Sequence, residues 1–528
     1  MKKILSIAAL ALTGALMTSC GTDDDIIENA PQIANEQPVK KNNIVVVKTT
    51  VGLADNQTKA LNIDYVNEVV EKTFAVDDQV AMRYMNTSDD YVKAVSEPLG
   101  VDDISADGKT ATLTFTLVDP KDGEVELAYP ASMVDDELAP LESLITAQNG
   151  TLANVAALDY SYSTATLTGD KVSDVTLNNR AAIVAYTLKN SDGTEDITSS
   201  VTKLTINDGE LTFTVTRAAG AGPIYVALFG IYKDDIEYLA TDGTKYYTKS
   251  VTNKSYASGT FFQQGLRMTE VPSAPDNAIN GLFTISSTKL AYFAKGNLRY
   301  ASSKWSFFGN QYDYNSTYNV NDWDKFGWVG SSGSLASATP GMWGVSNEPT
   351  TDYYGKNLDQ LASDWGNVPD IGTGWRTLTS AEWEYLFVTR SASTVAGTTN
   401  ARYAKAQVNG RHGVILFPDI YTHPAGVANP VGINNEGSTG WDGNSYSAAD
   451  WAKMEEAGCV FLPAAGYRNP TSLDPDPIAR CDEEGNYWSS TTTYEGWANV
   501  VSFRSEYLTV RVNDRYNGCS VRLIYSAN

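Results

Sequence analysis

The sequence predicts a mainly β protein, and three observations lead to this prediction. From residue 44 to about residue 271, apolar and polar residues alternate in short runs, as they do along half-buried strands. Asp-Gly pairs, which favour tight turns, separate these runs at short intervals. After residue 280 the chain combines short apolar runs, long polar loops and two capped helical patterns, which indicates a domain with both strands and helices.

The N-terminus predicts export. Lys2 and Lys3 precede an apolar segment, residues 4–16, which is too short to span a bilayer permanently. Small residues then lead to Cys20, and this order resembles a bacterial lipobox. The resemblance implies a signal peptide of residues 1–19 and a mature lipoprotein whose Cys20 carries palmitate or a similar acyl chain. An ordinary signal peptide with an incidental cysteine is the alternative.

Residues 20–43 are polar and contain two prolines, which predicts a flexible tether. Its acidic start, Gly21-Thr22-Asp23-Asp24-Asp25, resembles the signal that sends Bacteroidota lipoproteins to the cell surface at the outer membrane. A solvated linker without that role is the alternative.

The region from residue 44 to residue 271 is predicted to form two β-sandwiches. Ordered structure is expected to begin at the apolar run Ile44 to Val47. Clean alternation predicts further strands at residues 111–118, 203–207 and 211–216. The length suffices for two sandwiches. We place them at residues 44–155 and 156–271, with the seam near residue 155.

Motifs between Thr58 and Met133 resemble the fimbrillin-like proteins that build the type V pili of Bacteroidota: TKALNID, TFAVDDQVAMRY, GKTATLTFTL and VELAYPASM. The resemblance implies two tandem transthyretin-like sandwiches and assembly with other pilus subunits by strand addition. It also implies a trypsin-like processing position at Lys59 in the fimbrium subunit. An ordinary surface lysine is the alternative at that position.

The segment Val271 to Asn280 contains two prolines and is predicted to link the sandwiches to a C-terminal domain. In that domain Val460 to Leu462, Tyr487-Trp488 and Ser520 to Ile524 are expected to be strands. Thr379 with Glu382 forms a capping-box pattern, and Ser447 resembles a second helix cap.

Long motifs in the last domain resemble one family in their order along the chain: GWRTLTSAEWEYLF, RYAKAQVNG, GVILFPD, VFLPAAGYR, NYWSS and CSVRL. They are similar to a large paralogous domain of Bacteroidota. The resemblance implies an α+β C-type-lectin-like domain at residues 281–528, related to formylglycine-generating enzymes. The cysteines do not match the catalytic pattern of those enzymes, so we do not expect an enzyme.

The composition excludes several kinds of binding site and catalytic centre. The net charge of -24 opposes binding to nucleic acid, and two histidines, His412 and His423, make a histidine-based catalytic or zinc centre improbable. No calcium-lectin motif is present, and no cofactor or metal is expected; an irregular ion site is the alternative. Cys459, Cys481 and Cys519 allow at most one disulfide, and the sequence leaves all three pairings open.

Aromatic residues in two polar loops are the remaining candidates for ligand binding. Trp441 and Tyr446 lie in or beside the loop that starts at Asn434, and Tyr494 and Trp497 lie in a second loop. Aromatic rings among short polar side chains suit sugar stacking or protein contacts. The alternative is that the rings pack the loops against their own domain.

The sequence therefore predicts a cell-surface lipoprotein that acts in cell adhesion, as a tip or accessory subunit of a pilus. The expected ligand of the C-terminal domain is a glycan or a protein. A free-standing glycan-capture lipoprotein, not assembled into pili, is the alternative.

Overall fold

In the computed structural model, residues 43–54, 57–58, 72–319, 321–328, 364–435, 437, 440–441, 443–469, 478–494, 497–515 and 517–528 are described. Most of the regular structure in these residues is β-strand, which confirms the predicted mainly β class. Cys20, Lys59 and residues 21–42 of the predicted tether lie outside the described residues.

The first part of the chain is dominated by one large sheet. The elements are β1 (Ile44–Leu53), β2 (Gln57–Thr58), β3 (Ala81–Met85), β4 (Tyr91–Val95), β5 (Thr110–Val118), β6 (Gly123–Tyr129), α1 (Glu142–Ile145), β7 (Ala147–Gln148), α2 (Leu152–Leu158), β8 (Ser161–Thr168), β9 (Lys171–Val172) and β10 (Val175–Asn179), with short 3-10 turns at Val101–Asp103 and Ala131–Met133. Eight strands form the sheet in the order β10-β1-β9-β8-β6-β3-β4, with β5 paired to β1. Their inward residues, among them Leu113, Phe115 and Leu127, form one apolar core.

Two sheets face each other in the second part. The strands are β11 (Ala182–Lys189), β12 (Lys203–Asn207), β13 (Thr212–Thr216), β14 (Ile224–Leu228), β15 (Asp234–Thr241), β16 (Tyr246–Lys254), β17 (Thr260–Arg267) and β18 (Thr269–Glu270). One sheet has the order β14-β11-β17-β2 and the other β18-β16-β15-β12-β13-β7. Val184, Leu204 and Phe213 belong to the core that both sheets share.

Strand pairing does not change at residue 155, where we expected the seam. β8, β9 and β10 belong to the first sheet, whereas the earlier elements β2 and β7 pair with strands of the second part. Val155 of α2 packs in the second core, but Leu167 and Leu177 pack in the first. The chain thus passes between the two cores more than once. The seam was misplaced because alternation shows that a strand has a buried face but not which core buries it.

Within its described residues, the C-terminal part contains five small sheets and two α-helices. Its elements are β19 (Ala278–Thr284), β20 (Leu290–Ala294), β21 (Leu298–Ala301), β22 (Lys304–Phe307), β23 (Asp322–Trp323), β24 (Trp375–Arg376), α3 (Ser380–Glu384), β25 (Tyr403–Val408), β26 (Arg411–Leu416), β27 (Ser445–Tyr446), α4 (Ala448–Glu456), β28 (Val460–Pro463), β29 (Tyr467–Arg468), β30 (Ile478–Ala479), β31 (Gly485–Tyr494), β32 (Trp497–Phe503), β33 (Leu508–Asp514) and β34 (Ile524–Ser526). A 3-10 turn spans Trp365–Asn367, and a π-helical turn, Tyr385–Thr389, extends α3.

Both predicted helix starts are confirmed. The Thr379 hydroxyl accepts a hydrogen bond from Glu382 N, and the Glu382 carboxylate accepts one from Thr379 N at 2.8 Å, which completes the capping box before α3. Ser447 accepts a hydrogen bond from Asp450 N at the start of α4. These caps were predictable because their hydrogen bonds form between residues three positions apart.

The expected strand from Ser520 to Ile524 is wrong in its position. The regular strand is β34, which begins at Ile524, and the preceding backbone bonds to several elements instead of one partner. Trp488 N donates to Ser520 O, and Leu298 N donates to Val521 O. This irregular path carries Arg522 into the interior of the domain, where it is fully buried.

The C-terminal domain packs directly against the second sandwich. β18 ends directly before the expected linker, β19 begins within it, and Val271 and Ala274 between the two strands pack on the domain's core. Leu239 of the sandwich belongs to that same core. Lys289 Nζ also forms an ion pair with Glu237 at 2.5 Å. The proline-containing segment therefore connects two parts that share an apolar interface.

Candidate functional site

Two of the predicted ligand-binding rings are buried. Trp441 is 8% exposed, stacks on His412 with ring centroids 5.4 Å apart and meets the ring of Phe503 edge-on. Tyr446 is 3% exposed and belongs to the core beside α4. A ring that packs on its own domain has no free face for a sugar. For these two residues the burial favours the alternative, that the rings pack the loops against their own domain.

Trp497 differs from these rings because it is 36% exposed. It begins β32, and its backbone lies opposite Tyr494 on one side and Asp514 on the other. The side chain of Tyr494 lies outside the described part of the chain. Trp497 is therefore the one predicted ring that the structure places at the surface with a described side chain.

A groove that the sequence did not predict runs beside Trp497. It lies between α3 with its π-helical extension and the β32–β33 hairpin, and it encloses about 560 Å³. Asn499 lines this groove and follows Trp497 by two residues, so both side chains point from the same sheet face about 7 Å apart. Further lining side chains are Ser380, Glu384, Phe387, Arg402, Asn434 and Thr509.

Hydrogen bonds to the backbone hold the polar side chains of the groove in place. Arg402 Nε donates to Phe387 O at 2.8 Å. Asn434 Oδ1 accepts from Arg402 N, and its Nδ2 donates to Asn400 O, both at 2.8 Å. Burial lowers the pKa of Arg402, and the positive charge of the neighbouring Arg390 lowers it further. The groove thus presents pre-positioned amide and guanidinium groups beside an exposed indole ring.

Sequence reasoning missed this groove because its polar residues are scattered from Ser380 to Thr509. Arg402 and Asn434 carry no local signal of binding, since each lies in an ordinary polar context. Only the folding of α3 onto the hairpin brings them together. The search for aromatic residues in polar loops could not separate Trp497 from the buried rings of Trp441 and Tyr446, because the local sequence pattern is the same for exposed and buried rings.

The first strand is the second feature with functional potential. β1 pairs antiparallel with β5 from Ile44↔Val118 to Gly52↔Thr110, and parallel with β10 from Val51↔Val175 to Leu53↔Leu177. Val47, Thr49, Val51 and Leu53 on its inner face are buried. β1 therefore fills a gap between two strands that come later in the chain, and a strand of another molecule could occupy the same place.

Cys459, Cys481 and Cys519 form no disulfide with one another. Burial raises the pKa of the thiols of Cys459 and Cys519, so both are protonated at neutral pH and poorly nucleophilic. Cys481 Sγ contacts Ala465 O at 3.3 Å. Within the described residues, no group of three or more His, Cys, Asp or Glu side chains could hold a metal ion.

Among the helices of the described ranges, none is both long and apolar enough to cross a membrane.

Comparisons with known proteins show only remote similarity. No family model and no curated protein matches the chain. The chain is similar to a solved fimbrial assembly protein from Parabacteroides distasonis at 9% identity, over 50% of this chain and 99% of that one, with a TM-score of 0.25. It is also similar to a fimbrial protein from Bacteroides ovatus at 11% identity, over 91% and 99% of the chains, with a TM-score of 0.22. TM-scores this low establish neither a shared fold nor a shared function.

Proposed function

We propose that this protein is a cell-surface adhesin that binds a glycan or a protein through its C-terminal domain, as a tip or accessory subunit of a type V pilus. The observation that carries the binding part is the exposed Trp497 beside the groove lined by Asn499 and Arg402. The pilus part rests on the fimbrillin-like motifs and on the position of β1. We do not propose an enzymatic activity, since the cysteines do not match the catalytic pattern of formylglycine-generating enzymes and burial raises the pKa of the thiols of Cys459 and Cys519.

The chemistry of the groove favours a carbohydrate ligand. An indole ring offers its face to the C–H groups of a sugar, and it loses little conformational freedom on binding. Asn434 and Asn499 provide amide donors and acceptors for hydroxyl groups. Arg402 and Glu384 add one charge of each sign. This combination of a ring with pre-positioned polar groups is what small-molecule sites require for orientation.

Trp497→Ala is expected to reduce binding to the ligand found in a glycan and host-protein screen by about tenfold or more, since hot-spot aromatic truncations cost about 2 kcal/mol. The measurement is titration of the purified full-length protein against that ligand. Tyr232→Ala provides the matched control, because Tyr232 is an exposed ring on the second sandwich, far along the chain from the groove. Equal affinities of the Trp497 variant and the unmodified protein would contradict the groove as the binding site.

Strand addition would join this subunit to a pilus. Cleavage after Lys59 would release β1, and the extended strand of a neighbouring subunit would then pair with β5 and β10. A donor strand at the end of the second sandwich is sterically hindered, because that end continues into the packed C-terminal domain. The subunit would therefore accept a strand without donating one and would occupy the end of the fibre. Cys20 would hold copies that are not yet assembled into a fibre in the outer membrane, which metabolic labelling with a palmitate analogue tests.

Immunogold labelling of native pili with antibody against the C-terminal domain is expected to show one labelled end per fibre. Antibody against a stalk subunit on the same grids gives the control, because it labels the whole shaft. Label of the C-terminal domain along the shaft would contradict the tip position. Its absence from sheared pili, with the protein retained on cells, would favour the free-standing capture lipoprotein.

A further inference from the structure

The second sandwich has one sheet face that carries mostly hydroxyl side chains. On this face Thr205 of β12 lies opposite Thr214 of β13 and Leu239 of β15, and Lys203 lies opposite Thr241. The opposite face of the same strands carries Leu204, Ile206 and Phe213, which belong to the sandwich core. The hydroxyl face is therefore the outer face of the sandwich, where an antiparallel sheet normally meets water.

Here the C-terminal domain covers that face and encloses a cavity of about 240 Å³. Thr284, Tyr385 and Asp419 of the domain line the cavity together with the strand residues. Thr389 and Ser391 also line it and are exposed, so the cavity opens to solvent on their side. Domain interfaces of this kind are frequent places for small-molecule sites.

The carboxylate on the cavity wall, Asp419, already has partners within the protein. Asp419 Oδ1 accepts a hydrogen bond from Arg390 Nη1 at 2.7 Å, and both side chains are buried. Asp419 Oδ2 accepts another from Thr284 N at 2.8 Å. The hydroxyl of Tyr246 lies 3.4 Å from the same oxygen, and burial raises the pKa of Tyr246 well above the ordinary value. Asp419 is therefore a fully engaged carboxylate on the wall of the cavity.

Lys203 is the cation of this site that forms no close ion pair. Within the described ranges, no carboxylate oxygen lies within 4 Å of its ammonium group. The side chain is partly buried, and burial lowers the pKa of Lys203, although the more distant Asp419 carboxylate opposes that shift. A desolvated ammonium gains most from an anion that enters the cavity. Around it the threonine and serine hydroxyls can each donate one hydrogen bond and accept others.

We propose that this interdomain cavity binds a small hydroxylated carboxylic acid of the sugar-acid class, with its carboxylate on Lys203 and its hydroxyl groups on the surrounding threonines. The volume holds about eight waters at their liquid density, which suits one sugar ring and not an oligosaccharide. The ligand would bridge the second sandwich and the C-terminal domain, and it would stabilise their packing because it contacts both.

Calorimetric titration of the full-length protein near neutral pH tests this site with three probes. D-Glucuronate is expected to bind once per chain. D-Glucose, which lacks the carboxylate, and acetate, which lacks the hydroxyl groups, are each expected to bind at least about tenfold more weakly. Lys203→Met is expected to lower the affinity for glucuronate to that for glucose. Lys245→Met is the matched control, since Lys245 is exposed and paired with Glu270.

Three outcomes would overturn the site: no saturable binding of glucuronate, equal affinity for glucose, or unchanged affinity of the Lys203 variant. If the Lys203 variant does not fold, Thr214→Val provides the test instead. It keeps the shape of a cavity residue, leaves Lys203 in place and should weaken glucuronate binding several-fold. Binding should also weaken as the pH rises through the lowered pKa of Lys203, since only the ammonium attracts the anion.

Trp497→Ala should leave glucuronate affinity unchanged, which separates this cavity from the groove. A matching loss of affinity would place the ligand in the groove instead.

Discussion

Replacing Arg522 by Met is expected to destabilise the C-terminal domain by about 3–5 kcal/mol. The guanidinium is fully buried and donates four hydrogen bonds. Its acceptors are Asn297 Oδ1 at 3.0 Å, Ala294 O at 3.1 Å, Gln311 Oε1 at 3.2 Å and Phe461 O at 2.8 Å. Methionine matches the aliphatic part of the side chain but leaves all four acceptors without this donor. Burial lowers the pKa of Arg522 to about 10, so the charge is present at neutral pH.

Tryptophan fluorescence during urea unfolding measures this effect selectively, because all eleven tryptophans lie at or after Trp305. Arg480→Met is the matched control. The Arg480 guanidinium is about half exposed, and its nearest carboxylates are 3.4 and 3.8 Å away, so the expected loss is below about 1 kcal/mol. Similar unfolding midpoints for the two variants would show that Arg522 does not hold the domain together.

A chain that begins at residue 60 lacks β1. Its first sheet is expected to be unfolded, or folded with the place of β1 left empty. The lost strand buries Val47, Val51 and Leu53, and each such side chain contributes about 1.5–3 kcal/mol. Their sum approaches the whole stability of a typical domain, which is about 5–15 kcal/mol. β5 would also lose its partner along nearly its full length. The expected result is rapid amide hydrogen exchange in β5.

Adding a peptide with the sequence of Ile44 to Leu53 is expected to restore the protection of β5, because the peptide can pair as β1 does. A peptide with Val47→Asp and Val51→Asp is the control, since it places two charges in the apolar core. Protection of β5 in the truncated chain without any peptide would contradict the role of β1 as the strand that completes the sheet. Equal protection by both peptides would contradict pairing in this register.

The parts of the fold that were predictable from the sequence depend on neighbouring residues. The alternation at residues 203–207 predicts β12, and the caps at Thr379 and Ser447 predict the starts of α3 and α4. The run at Val460 likewise predicts β28. Each of these signals arises from backbone geometry or from a hydrogen bond within one turn, so a few residues of sequence contain it.

The candidate sites depended on contacts that no short stretch contains. Trp441 and Trp497 lie in similar polar loops, yet one ring packs on His412 and the other is exposed. The cavity at Lys203 exists only because the C-terminal domain covers a sheet face that alternation alone assigns to solvent.

By itself, therefore, the sequence determined that the chain is mainly β, that it carries two capped helices and that its charge opposes nucleic acid. The tertiary structure alone decided which core receives β8 to β10, which rings stay exposed and where Arg522 is buried. The physical reason is the range of the interactions. Strand alternation and helix capping act over a few residues, whereas burial and pairing are set by segments hundreds of positions apart that meet only after folding.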